Sequence, residues 1–144
     1  MNNLLVSVGV RYDVVAIVLM QNGCVVHKHI ERVKDSEITK TNFKLVIQSF
    51  IIALRVLRRY MNENPSCCKE VCFEMTNATF VKWVDNRYSK EAYEDMFQYS
   101  LSLLQEIPVR YLFSCVPKTR ALPYANEKYL VSNSITGLNL DTEE

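Results

Sequence analysis

Between Leu4 and Val33 three short runs rich in Val, Ile and Leu, LLVSVGV, VVAIVLM and CVVHKHIERV, are separated only by RYD and QNG. Apolar runs of this length with spacers this short read as two successive hairpins, and Asn22-Gly23 is the dipeptide best suited to a two-residue hairpin turn. The segment is therefore a three-stranded meander, and whatever follows must pack against it. In the first two runs both alternating sets of side chains are mainly apolar, which is the composition of strands covered on both faces. The third mixes His27, Lys28, His29, Glu31 and Arg32 with its apolar residues, as suits an edge strand where charge deters further pairing.

From Phe43 the apolar positions Val46, Ile47, Phe50, Ile51, Leu54, Leu57 and Met61 recur at three- and four-residue steps, one face of a long helix. Thr39 or Thr41 can cap it, and Lys34 to Lys40 reads as polar connection. Leu45, Ile52 and Val56 widen the stripe, so the helix is expected to be clasped between the sheet and a further element. Arg55, Arg58 and Arg59 near its end suit the helix dipole. Glu70 to Met75 reads as a fourth strand, parallel to the first by a right-handed crossover. Then come a short helix over Ala78 to Val84, a second helix over Ser89 to Ile107 with Ser89 as cap, a fifth strand over Val109 to Cys115, and a last helix over Tyr124 to Ser134. The expected fold class is α/β, a five-stranded mixed sheet in the order 3-2-1-4-5 with helices on both faces. It spans 1–135 as a single domain, ahead of a loose acidic tail at 136–144.

Several function classes fall away on composition. Five cysteines, two of them adjacent and none in a CxxC pair, give neither a disulfide framework nor a zinc module, and read as reduced thiols. His27 and His29 share a strand face, but no third ligand stands at a helpful spacing. No apolar run reaches membrane-spanning length and no leader is visible, so the expectation is an intracellular protein, cytoplasmic or nuclear, with no membrane partner. The net charge of +1 does not suggest wholesale capture of nucleic acid, although residues 1–60 carry nine Lys/Arg against four Asp/Glu. Eight tyrosines and Trp83 are candidates for stacking on bases, with most expected on faces that the core needs.

The order of elements, with three local spellings, resembles the ribonuclease H-like superfamily, in particular type 1 ribonuclease H and its reverse-transcriptase-associated branch. The spellings are Thr41-Asn42-Phe43-Lys44 followed by SFIIALRVL, Ala78 to Val84 (ATFVKWV), and Val116-Pro117-Lys118 with Asn126-Glu127-Lys128 after it. The resemblance implies a nuclease in which four carboxylates hold two divalent metals about 4 Å apart. It places the first acid at Ser7 or Val8, the second within Lys44 to Val46, the third at Thr76 or Asn77 and the fourth at Tyr129 or Leu130. None of these residues is acidic. Hard cations need charged oxygens, so the expectation is a ribonuclease H-like module with a degenerate site and no cofactor. Its implied partner is nucleic acid or a protein within a nucleic-acid-handling assembly, viral or mobile-element assemblies among them. The resemblance also gathers Lys28, Lys40, Asn42, Lys44, Lys118 and Arg120 on the nucleic-acid-binding side. Two alternatives stand beside this reading. One is a nuclease of the ribonuclease H or resolvase type, dependent on Mg or Mn, with a site rebuilt around Glu74 and Asp13 or Asp85. The other is a structural subunit that assembles through a sheet edge, including as a homo-oligomer.

Overall fold

The computed structural model describes residues 3–39 and 41–130. Strand β1 (Asn3–Arg11) pairs antiparallel with β2 (Val14–Gln21), and β2 pairs antiparallel with β3 (Cys24–Arg32). Asn22 and Gly23 both hold positive φ, 55° and 78°, which is the left-handed pair that a two-residue hairpin requires. Strand β4 (Glu70–Met75) lies parallel to β1, and β5 (Arg110–Cys115) lies parallel to β4, giving the order β3-β2-β1-β4-β5. The doubly apolar strands are thus central and the charged strand is an edge, as their composition requires.

Alternation along the strands splits the sheet into two apolar faces. Leu4, Val6 and Val8 join Ile17, Leu19 and Phe73 beneath helix α2 (Asn42–Glu63). On the opposite face Val14, Ala16 and Val18 meet Ala121 and Ala125, at the start of a helix, α5, formed by residues 122–130. Phe50 of α2 is fully buried against Phe73, Phe80 and Phe113, with ring centroids 5.2 to 5.7 Å apart. Helix α4 (Glu94–Gln105) covers the outer side of α2, where Arg55 donates to the Tyr99 hydroxyl at 3.0 Å and Arg58 pairs with Glu106. The wide apolar stripe of α2 is thereby clasped from two sides.

Local differences from the sequence reading have local causes. Within Lys34 to Lys40 a one-turn helix α1 (Ser36–Thr39) forms, because the Asp35 carboxylate accepts from Glu37 N at 2.9 Å and its carbonyl takes Ile38 N and Thr39 N. Thr41 occupies the N-cap of α2 but makes no side-chain cap bond. Helix α2 runs on to Glu63, which leaves no basic residue in its last turn and removes the dipole argument for the arginines. Ser89 does not cap a helix. A 3-10 turn over Glu91–Tyr93 intervenes before α4, and the Ser89 hydroxyl donates to Glu94 Oε2 at 2.6 Å. Helix α3 (Ala78–Asn86) extends two residues past its expected end and closes on Arg87 in the left-handed conformation. The expected helix at 124–134 begins two residues earlier, while its end beyond 130, the tail at 136–144 and Lys40 lie outside the described residues.

Candidate functional site

Parallel strands β4 and β5 end together beside the middle of β1, and ligands of open α/β sheets gather at the carboxyl ends of such strands. There a cleft of about 220 Å³ opens between Val8 and Val10 of β1, Val46 and Ser49 of α2, Met75 to Asn77 after β4, and Pro117, Thr119 and Leu122. Each wall has a local reason for its place. Val8 sits on the α2 face because Ser7 and Gly9 take the other. Val46 stands on the second turn of α2, where its carbonyl accepts from Ser49 Oγ at 2.6 Å. Asn77 is the N-cap of α3, its Oδ1 accepting from Phe80 N at 2.8 Å.

The remaining wall, residues 116–121, is held by a buried clamp. Glu74, 3% exposed, accepts from Ser7 Oγ at 2.8 Å and from Arg120 N at 2.7 Å, and its second oxygen pairs with the Arg120 guanidinium. Ser7 Oγ in turn accepts from Ala121 N at 2.8 Å. Beside them Gly9 is indispensable: a Cβ there would stand 2.5 Å from Leu122 N and 2.6 Å from the Ala121 carbonyl carbon. The backbone that begins α5 therefore rests directly on β1.

This geometry sorts the sequence candidates. Of the paired positions, Val8 rather than Ser7, Val46 rather than Lys44, and Asn77 together with Thr76 line the cleft. Ser7 lies on the opposite sheet face in the clamp, and Leu130 is 58% exposed and outside the lining. Glu74 shares the Ser7 side, and its two oxygens are engaged by Ser7 and Arg120. Asp13 is paired with Arg32 at 2.9 Å, and Asp85 is exposed on α3, so neither joins Glu74. The basic candidates divide. Lys118 stands in the chain between the lining residues Pro117 and Thr119, and exposed Asn42 shares the helix face of Val46 at a four-residue step, whereas Lys44, two residues from Val46, lies off that face. Lys28 instead lies over the Tyr124 ring at 5.0 Å on the α5 face, and Arg120 is drawn to Glu74.

The donor set does not fit the metals that the resemblance implies. No carboxylate, imidazole or thiol lines the cleft, and among the described residues no group of three or more His, Cys, Asp and Glu is placed to hold a metal. The histidines separate into local roles, His27 near the Tyr60 ring and His29 bonded to Glu31 at 2.7 Å. All five cysteines are free thiols; burial, then the adjoining Cys67, pushes the Cys68 thiol up to about 11.

Some features escaped the sequence reading, although the tyrosines among them stand there as candidates for stacking on bases. The Thr119 hydroxyl, 3% exposed, has no partner. Tyr12 and Tyr129 stack with centroids 4.8 Å apart beneath the Arg11 guanidinium, at a turn where Tyr12 is 66% exposed. Tyr88, Tyr99 and Tyr111 are exposed as well, against the expectation that most tyrosines serve the core. A larger cleft of about 600 Å³ lies at the other end of the sheet, between the end of α2 and the segments that lead into β4 and β5. Its Arg58 and Glu106 are paired with each other.

No family model matches the chain, and no curated protein matches it. Solved structures do match. An RNase H1 from the halophilic archaeon Halobacterium salinarum aligns with a TM-score of 0.63 at 13% identity, over 80% of this chain and 86% of that one. LC11-RNase H1, isolated from compost by a metagenomic approach, aligns in its complex with an RNA/DNA hybrid with a TM-score of 0.65 at 18% identity, over 89% and 98%. A foamy viral protease-reverse transcriptase in complex with double-stranded DNA aligns with a TM-score of 0.52 at 9% identity, over 84% of this chain and 22% of that one. The chain has a ribonuclease H-like fold. Among the described residues no helix is long and apolar enough to cross a membrane.

Proposed function

We propose that this chain is a nucleic-acid-binding module of ribonuclease H-like fold that does not cleave by the two-metal route. One observation carries the reading: the cleft at the end of β4, beside the middle of β1, is built around Val8, Val46 and Asn77, with no acid in its walls. Lys118 stands between the lining residues Pro117 and Thr119 and, among the described residues, has no ion-pair partner, which supports a phosphate met beside the cleft without metal. The similar LC11-RNase H1 was solved with an RNA/DNA hybrid, which makes that hybrid the first ligand to test. The test is fluorescence anisotropy with labelled hybrid, duplex DNA and single strands, alongside gel assays of the same substrates with Mg²⁺ or Mn²⁺. Binding that weakens with salt and leaves every substrate intact is the expected result. Metal-dependent turnover that Glu74→Ala abolishes would overturn it in favour of a rebuilt site.

A second reading has its own observation. Val25 and Val26 are 43% and 40% exposed on edge strand β3, and Leu112 is 42% exposed on edge strand β5. Unpaired edges carrying apolar side chains suit assembly with a protein partner or a second copy. Light scattering with and without oligonucleotide separates the two: self-association independent of nucleic acid favours assembly.

A further inference from the structure

We propose that the cleft is a pocket for a single unpaired nucleobase, an inference that rests on the nucleic-acid-binding reading and names what this site takes. The walls are uncharged: Val8, Val10, Val46 and Leu122 supply apolar surface, and no Lys, Arg, Asp or Glu side chain lines them. A phosphate held there would find no cation in the lining. At the N-terminus of α3, the anion site nearby, one of the free N–H groups is already taken internally, that of Phe80 by Asn77 Oδ1.

Two polar groups remain unspent. Thr119 Oγ1 is buried with no partner, and an unpaired buried hydroxyl is costly unless a ligand or water satisfies it. The Asn77 side chain uses its oxygen as a cap, and its Nδ2 has no partner among the described residues. One hydroxyl, donor or acceptor, and one amide donor between aliphatic walls match the needs of a neutral flat ring with hydrogen-bonding edges. Extruded bases are read in this way, between apolar side chains and by their edges. At about 220 Å³ the cleft falls below the roughly 300–1,000 Å³ of pockets for drug-sized ligands, so it admits a ring system and not a whole nucleotide. Sugar and phosphate would lie outside it, beside Lys118, which stands between the lining residues Pro117 and Thr119.

The experiment titrates the full chain separately with adenosine, guanosine, cytidine, uridine and inorganic phosphate, following backbone amide shifts by NMR. A single-stranded oligonucleotide is then compared with its counterpart carrying one abasic site. Saturable shifts at Thr119 and Asn77 with at least one nucleoside, none there with phosphate, and weaker binding of the abasic strand are expected. Thr119→Val removes the hydroxyl at nearly constant shape, so its melting temperature is expected to hold or rise while nucleoside affinity falls about three- to tenfold. Val46→Phe fills the cleft and is expected to abolish the nucleoside shifts. No nucleoside response at these amides into the millimolar range, a response to phosphate alone, or equal affinity for the intact and abasic strands would each overturn the pocket. If the oligonucleotide still binds in those cases, the broader reading stands; if no oligonucleotide binds, that reading fails first.

Discussion

Ser7 Oγ donates to Glu74 Oε1 at 2.8 Å across the paired central strands β1 and β4, with both residues buried. The carboxylate that a rebuilt metal site would need is thereby committed to fastening the start of α5, through Arg120 N and, by way of Ser7, Ala121 N. Glu74→Ala removes the acceptor for buried Ser7 and for the part-buried Arg120 N and is expected to cost about 2–4 kcal/mol, whereas Ser7→Ala is expected to cost about 1–2 kcal/mol. Because the two act in one network, the double variant is expected to fall short of the sum by about 0.5–2 kcal/mol. Urea unfolding of the four species measures this, and strict additivity would show that the clamp is not energetically shared.

The close approach of α5 to β1 gives a second expectation. In Gly9→Ala the new methyl meets backbone atoms of Ala121 and Leu122, which cannot rotate aside as a side-chain end can. A loss of about 1–3 kcal/mol, as for overpacking in a filled core, is expected. Faster proteolysis within residues 116–121 should accompany it, since this wall of the cleft would be lifted from its seat. Unchanged stability and protection would mean that α5 can shift without loss.

How far the sequence could be read follows from how local each cause is. The meander, the long α2 and the strand order were legible because two-residue and 3.6-residue periodicities are carried by neighbours in the chain, as in Val14–Gln21 and in Phe43 to Met61. The capping role expected of Ser89 failed because its partner, Glu94 Oε2, competes with the backbone, a choice that no spacing encodes. Glu74 looked like a surviving catalytic group because its partners Ser7 and Arg120 lie 67 and 46 positions away. Gly9 is explained only by the backbone of Ala121 and Leu122, near in space and far along the chain. Val8, Val46 and Asn77 fell within the resemblance's positions, but only their convergence on one cleft separates them from Ser7 and Lys44.

Buried thiols set a pH limit. The Cys68 thiol is pushed up to about 11 from 9.0, first by burial and then by Cys67, and burial likewise raises Cys72. Because these folded values lie above the unfolded one, the folded state keeps protons that the unfolded chain has released. The associated stability is full below pH 9.0 and is lost as pH climbs toward about 11. A urea midpoint that declines over that window, with a shallower decline in Cys68→Ala, is expected. Exposed Cys24 and Cys115 should be alkylated well before Cys68 in the native protein, and equal rates would contradict the burial.

Placing acids where Val8, Val46 and Asn77 converge supplies the charged oxygens that the cleft lacks. In the natural chain Mn²⁺ is expected to leave the melting temperature unchanged, because a ligand stabilises only in proportion to its affinity for the folded state. Val8→Asp alone introduces a carboxylate at a position 4% exposed, and with no Lys or Arg in the cleft lining it is expected to destabilise by several kcal/mol. Combined with Val46→Glu and Asn77→Asp, the three carboxylates face one another, so the apo variant should be weaker still and should recover on adding metal. Stabilisation by about 2.7 kcal/mol is expected when Mn²⁺ reaches about one hundred times its dissociation constant. Thermal melts over a manganese series read both proteins. Stabilisation of the natural chain would show that it already holds a metal, and no recovery in the triple variant would show that the three positions do not converge in solution.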